Sequence, residues 1–169
     1  MPMLEEMLAE AGLGWRDLAC LGVGTGPGNF TGVRISVAAA RGLALGLGVP
    51  AVGVTALEAL AYGRQGPRLV TLDARRDAVY AQVFDGGLAD ICTLETLPEL
   101  PRDSTCIGHR AAEVAARVGG HVAEAAFPQT VAMARIALSR RASAVRPAPF
   151  YLRAADAAPP SDPPPVILP

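Results

Sequence analysis

Lysine is absent from this sequence; all fifteen basic residues are arginine. A P-loop needs the lysine of its GK[ST] segment, Schiff-base enzymes need an amine and Ser-Lys hydrolases need their base, so those chemistries are excluded. Cysteine is scarce: Cys20, Cys92 and Cys106 lie far apart and form no C-x-x-C. Neither a disulfide framework nor a zinc site follows, and a reducing cytoplasm suits such a chain. The two histidines, His109 and His121, fall in different segments without an H-E-x-x-H, which argues against a metal. No serine sits in G-x-S-x-G, so a hydrolase elbow is missing too. With 5% aromatic residues and a net charge of −1, the chain lacks the basic, stacking surface of a free nucleic-acid binder. Any RNA has to be held through a partner. No signal-peptide pattern opens the chain, and its most apolar helical stretch carries two arginines and reads as too short for a membrane span.

What is present is an apolar chain of 169 residues, 51% hydrophobic, enough for one domain or two small lobes with a real core. Residues 3–11 place apolar side chains at 4, 7, 8 and 11, an amphipathic helix that Gly12 stops. Residues 18–23 form a strand-length apolar run, and 31–47 read as a long helix with Asn29 or Thr31 near its cap. Gly48 and Pro50 end that helix; residues 51–54 make a second strand, and Thr55 to Glu58 matches a capping box opening a helix to about residue 61. The alternation of strand and helix predicts a parallel sheet. After the turn residues 64–67 the pattern becomes an antiparallel meander, with strands at 69–72, 78–84 and 89–94 and a turn through 73–77. A strand at 105–108, helices at 111–118 and 131–141 and an apolar anchor at 150–153 complete the second part. The expected organisation is a first lobe at 1–66, a second at 67–153 and a Pro-rich disordered tail at 154–169.

Three places invite a functional reading. The first is GVGTGPGNFTGVR, residues 22–34, a glycine stretch between strand and helix. Its glycines alternate at 24, 26 and 28, so the G-x-G-x-x-G spacing of a dinucleotide site fails. Two readings stay open: a loose anion site at the helix start, or a tight corner that exploits glycine's positive φ. The second place is Asp73 and Asp77, imaginable as an acid/base pair, although a hairpin turn with Arg75 and Arg76 accounts for them equally. The third is the helix itself. Positions 30, 33, 37, 40, 44 and 47 supply one buried stripe, yet the opposite side carries Ala38, Gly42, Leu45 and Gly46, with only Arg34, Ser36 and Arg41 as polar relief. A helix apolar nearly all round is covered on both sides, here by the 3–11 helix, by a second protein, or by both.

The stretch GTGPGNFTGVRISVAAARGLALGLGVPAVGVTALEALA resembles the signature of the TsaB family, also called YeaZ. The resemblance extends through LVTLDARRDAVYAQVF, similar to that family's DAR-x-x-x-VY strand pair, to PAPFYLR, similar to its closing P-x-YLR. It implies an α/β, actin-like (ribonuclease H-like) fold in two lobes without the catalytic apparatus of nucleotide-binding relatives. It further implies a dimerisation subunit that pairs with the TsaD catalytic subunit and acts with the TsaE ATPase to place threonylcarbamoyl on adenosine 37 of tRNA. The corner would then be Gly26, Pro27, Gly28, Asn29, Phe30, Thr31 and Gly32, leading into an interface helix. Leu4, Met7, Leu8, Arg34, Val37, Ala38, Arg41 and Leu45 are the expected partner surface, shared with a homodimer, and no catalytic residue, cofactor or metal is expected. Asn29 stands where the family usually has serine, an exchange between two good caps. The family's opening I-D-T-S-like strand and hairpin have no counterpart before Met1, so the first lobe is expected to be incomplete, with residues 18–23 on an exposed sheet edge. A stand-alone nucleotide-binding enzyme using the glycine corner and Asp73 is the other class left open.

Overall fold

The computed structural model describes residues 1–153. The expected tail at 154–169 lies outside them. Two sheets organise the chain. The first has two parallel strands, β1 (Leu21–Gly24) and β2 (Ala51–Val54), in register from Leu21 opposite Ala51 to Gly24 opposite Val54. Between them runs α2 (Phe30–Leu47), so the β-α-β pattern legible in the sequence is formed. Asn29 caps α2, its Oδ1 accepting the Gly32 N–H at 2.8 Å, and Gly48 closes it in the left-handed region. The capping box of α3 (Ala56–Ala61) is also present: Thr55 Oγ1 accepts from the Glu58 N–H while the Glu58 carboxylate accepts from the Thr55 N–H.

The second sheet has five strands. These are β3 (Arg68–Asp73), β4 (Val79–Phe84), β5 (Ala89–Cys92), β6 (Thr105–Gly108) and β7 (His121–Val122), in the spatial order β5-β4-β3-β6-β7. The meander β3-β4-β5 is antiparallel, and β6 and β7 add in parallel on the other side of β3. Successive residues of β3 point to opposite faces. Leu69 enters a core with Val79, Cys106 and Val114 of α4 (Ala111–Val118), whereas Val70 joins Leu57 and Ala61 of α3 and Ile107. Cys92 and Cys106 are buried, which pushes both thiols above their ordinary pKa.

The last helix corrects the expected lobes. Residues 55–67 lie between the two sheets in chain order, but α5 (Gln129–Arg140) turns back and packs on β1 and β2, with Ala132, Ile136 and Ala137 against Val52, Val54 and Ala59. The second unit therefore does not run unbroken from 67 to 153. Gly22 makes this return feasible: a Cβ there would stand 2.9 Å from the Ala137 Cβ. A second correction concerns α1 (Pro2–Glu10), expected to cover α2. It has no buried residue and makes no extensive contact with another described element.

Candidate functional site

The buried stripe of α2 is the one that the spacing predicts: Val37 and Ala44 are buried, and Phe30, Val33, Ala40 and Leu47 are half-buried. The other flank is open. Leu45 is 86% exposed and Ile35 65%, and Ala38, Gly42 and Gly46 are exposed beside them. At 18 residues with a mean hydropathy of 1.3, α2 is long and apolar enough to cross a membrane, contrary to the expectation that it is too short. Its seat between β1 and β2 explains the apolarity of one flank only.

Among the expected partner residues, Ala38 and Leu45 lie on the open flank, and Arg41 is half-buried. Leu4 and Met7 of α1 are exposed and Leu8 is half-buried, and α1 and α2 share no extensive packing. Val37 does not belong with them. It is 2% exposed within the chain itself, because it sits one position off the open flank on the stripe that faces the sheet. Arg34 is exposed but committed locally. Its Nε–H donates to the Tyr151 hydroxyl at 2.7 Å, and its guanidinium lies 4.0 Å over the Phe30 ring, which stacks on Tyr151 at 4.7 Å.

That cluster forms part of a cleft of about 580 Å³. Its walls are the glycine corner at 27–31 with Val33, the β3–β4 turn at 73–75 with Tyr80, and the closing strap at 150–153. The corner is held by backbone bonds: the Phe150 N–H donates to the Thr25 carbonyl at 2.8 Å and the Ala56 N–H to the Gly26 carbonyl at 2.8 Å. Gly26 has φ of 102°, and a Cβ there would meet the Phe150 carbonyl oxygen at 3.0 Å, so glycine is required twice over. In the turn, the Arg75 N–H donates to Asp73 Oδ1 at 2.8 Å, and Arg75, Arg76 and Asp77 all have positive φ. Asp73 and Asp77 thus carry turn geometry, and Asp73 also reaches the cleft. The strap completes the enclosure as Leu152 packs beside Leu57, Val70 and Ile107.

The enzyme alternative paired the corner with Asp73, but the closure of the strap on both was not legible, since nothing local reports a contact between segments so far apart. His109 is exposed, and His121 Nε2 lies 3.1 Å from Thr105 Oγ1. Among the described residues no three of His, Cys, Asp or Glu converge as metal ligands.

Comparison with known proteins bears directly on this architecture. The family described as TsaD, tRNA N6-adenosine threonylcarbamoyltransferase, matches residues 1–97. The TsaB protein of Escherichia coli, named for tRNA threonylcarbamoyladenosine biosynthesis, is 41% identical over 85 residues, 47% of this chain and 37% of that protein. The TsaB of Bacillus subtilis is 35% identical over 124 residues, covering 64% of this chain and 54% of that one. The chain therefore spans between about a third and a half of the curated relatives' length. Among solved structures, an uncharacterized Pseudomonas aeruginosa protein with similarity to peptidase YEAZ superposes with a TM-score of 0.70 at 27% identity, over 90% of this chain and 82% of that one. YeaZ from the same organism superposes equally well, over 89% and 82%. The mixed α/β fold is of the actin-like, ribonuclease H-like class. The chain belongs to the TsaB (YeaZ) family, and its residues 1–97 match the family described as the tRNA N6-adenosine threonylcarbamoyltransferase TsaD.

Proposed function

We propose that this chain is a non-catalytic subunit of the complex that forms N6-threonylcarbamoyladenosine at position 37 of tRNA, pairing through α2 with a TsaD-like catalytic subunit. A TsaE-like ATPase and the tRNA join through the complex in this reading, a second copy of the chain competes for the same face, and the setting is the cytoplasm, with no membrane partner. The observation that carries it is the open flank of α2, with Leu45 86% and Ile35 65% exposed beside the small residues Ala38, Gly42 and Gly46. Large apolar groups next to small ones are what a close helix-helix contact needs, and a lone chain gains nothing from exposing them. The names of the curated relatives support the pathway.

Ala38→Glu tests the reading. An unpaired charge in a packed helix contact costs about 3–5 kcal/mol of binding. The variant should keep its melting temperature, because position 38 is exposed in the chain, but lose the TsaD-like subunit in a pull-down. Unchanged capture would remove this flank from the interface. A second reading, a stand-alone nucleotide-binding enzyme, draws on one observation: Asp73 and the glycine corner line the same cleft. ATP turnover by the purified chain that is abolished by Asp73→Ala would favour it over the subunit.

A further inference from the structure

Among the described residues, strand β2 pairs with β1 alone, so its outer edge carries no strand. The ladder between the two runs through the main chain of residues 21, 23 and 25 on β1 and of 50, 52 and 54 on β2: the Leu21 N–H donates to the Pro50 carbonyl and the Thr25 N–H to the Val54 carbonyl, both at 2.9 Å. The N–H and carbonyl of Gly53 therefore point outward, and among the described residues neither has a partner. A cavity of about 350 Å³ opens beside them, between β2, the end of α5 and residues 143–150.

Thr25 lines this cavity and is only 5% exposed. Its N–H and carbonyl are bonded, to Val54 and Phe150, but its hydroxyl meets no partner among the described residues. A buried hydroxyl left without a partner costs free energy, so the group calls for a polar atom inside the cavity. The Thr25 methyl is turned onto Gly53, where a Cβ would stand 2.8 Å from it, and glycine there leaves the main chain itself as the surface. The rim is basic. Residues 125–153 hold five arginines and no acidic residue, in a chain of net charge −1. Arg140 lines the cavity and gives one nitrogen to Glu58, whereas Arg141 and Arg146 are exposed and have no carboxylate partner among the described residues.

We propose that the outer edge of β2 and the adjoining cavity form a docking site for an extended, acidic peptide segment of a partner protein. The segment adds as a further strand, and its main chain exchanges hydrogen bonds with the Gly53 N–H and carbonyl. The Thr25 hydroxyl donates to a polar side chain that enters the cavity, and the segment's carboxylates face Arg140, Arg141 and Arg146. Main-chain pairing alone is indifferent to sequence, so the arginines supply the choice of partner. A nucleic-acid strand also answers to arginine, but it carries no amide main chain for Gly53 and would leave the edge unpaired. No residue of α2 takes part, so the site goes beyond the subunit reading and either can fail without the other.

The probe is an acetylated, amidated hexapeptide of alternating valine and glutamate, titrated into the full chain at physiological salt and followed by amide shifts. One peptide should bind per chain and saturate below about 1 mM, the range that a few main-chain bonds and ion pairs reach. The shifts should map to Thr25, residues 51–55 and residues 140–148, a readout that stands even if a variant fails to fold. Replacing the glutamates by lysines, or methylating the peptide nitrogens, should abolish binding. Thr25→Val and Arg146→Gln should each weaken it by about threefold to tenfold, the loss of one hydrogen bond or one charged contact. Arg117→Gln on the exposed face of α4 and Ala38→Glu on α2 should change nothing. No saturable binding, equal binding of the lysine or methylated peptide, unchanged affinity of both weakening variants, or shifts that map elsewhere overturn the proposal. So does tighter binding of a polyadenylate oligonucleotide that displaces the peptide, which assigns the arginines to a phosphate backbone. A concentration-dependent dimer that the peptide dissociates also overturns it, by giving the edge to a second copy of the chain.

Discussion

The five-stranded sheet carries apolar residues on both faces and has each face covered, by α4 on one side and by α3 with Leu152 on the other. The two-stranded sheet is held on one side by α5 and on the other by a helix that buries only Val37 and Ala44 fully. The first region therefore buries the apolar residues of its central strands in its own core, with Leu88 and Val122 as isolated exceptions, whereas the second leaves a continuous apolar flank in solvent. Burial within the chain marks what stabilises the fold; apolar surface without burial marks what is left for another molecule.

The sharpest contrast between the regions is a pair of leucines. Leu69→Ala in β3 removes a fully buried side chain and should cost about 2–5 kcal/mol, read as a lower urea midpoint at unchanged m-value. Leu45→Ala in α2 should stay within about 0.5 kcal/mol, since the side chain is 86% exposed. Equal losses would mean that the flank of α2 is covered in the free chain.

A smaller effect separates the regions as cooperative units. Gly22→Val puts a side chain where Ala137 and the Met133 carbonyl already stand, and the overpacking should cost about 1–3 kcal/mol. Hydrogen exchange should quicken in β1, β2 and α5 while β3 and β4 keep their protection. Uniform quickening would make the two sheets a single unit.

The smallest prediction concerns the tie between α3 and α5, where Arg140 Nη2 donates to Glu58 Oε1 at 2.7 Å. Burial pulls the Glu58 pKa upward, but the Arg140 guanidinium and the Thr55 bonds outweigh it and hold the carboxyl below its ordinary value of 4.5. A depressed carboxylate stabilises the fold above its ordinary pKa and loses that contribution as pH falls through the folded one. Glu58→Gln should therefore lower stability by about 1 kcal/mol at neutral pH, with the gap to wild type closing as the solution is acidified below 4.5. A gap independent of pH would show that Glu58 acts only as a hydrogen-bond acceptor in the cap.

What could be read from the chain follows the range of each signal. The extent of α2, its Asn29 cap, its Gly48 stop and the Thr55 to Glu58 box are set by residues within four positions of one another, so the sequence alone determined them. Periodicity likewise placed positions 30, 33, 37, 40, 44 and 47 on the sheet side. The assignment of Val37 to the partner face failed because a helix apolar all round gives no internal sign of which edge of its stripe is the boundary. Strand β7 went unseen, since two residues paired to β6 carry no pattern.

The tertiary structure alone decided the rest. The return of α5 to β1 and β2 depends on the bare surface of Gly22 meeting Ala137, a fit between side chains more than a hundred positions apart that neither segment announces. The cleft has the same origin. The corner, the turn and the strap were each legible as local features, but that Arg75, Asp73, Arg153 and the start of α2 share one enclosure follows only from how the sheets are set against each other. Local hydrogen bonding and periodicity act through neighbours in sequence, whereas a site assembled from three separate segments exists only once long-range packing has closed it.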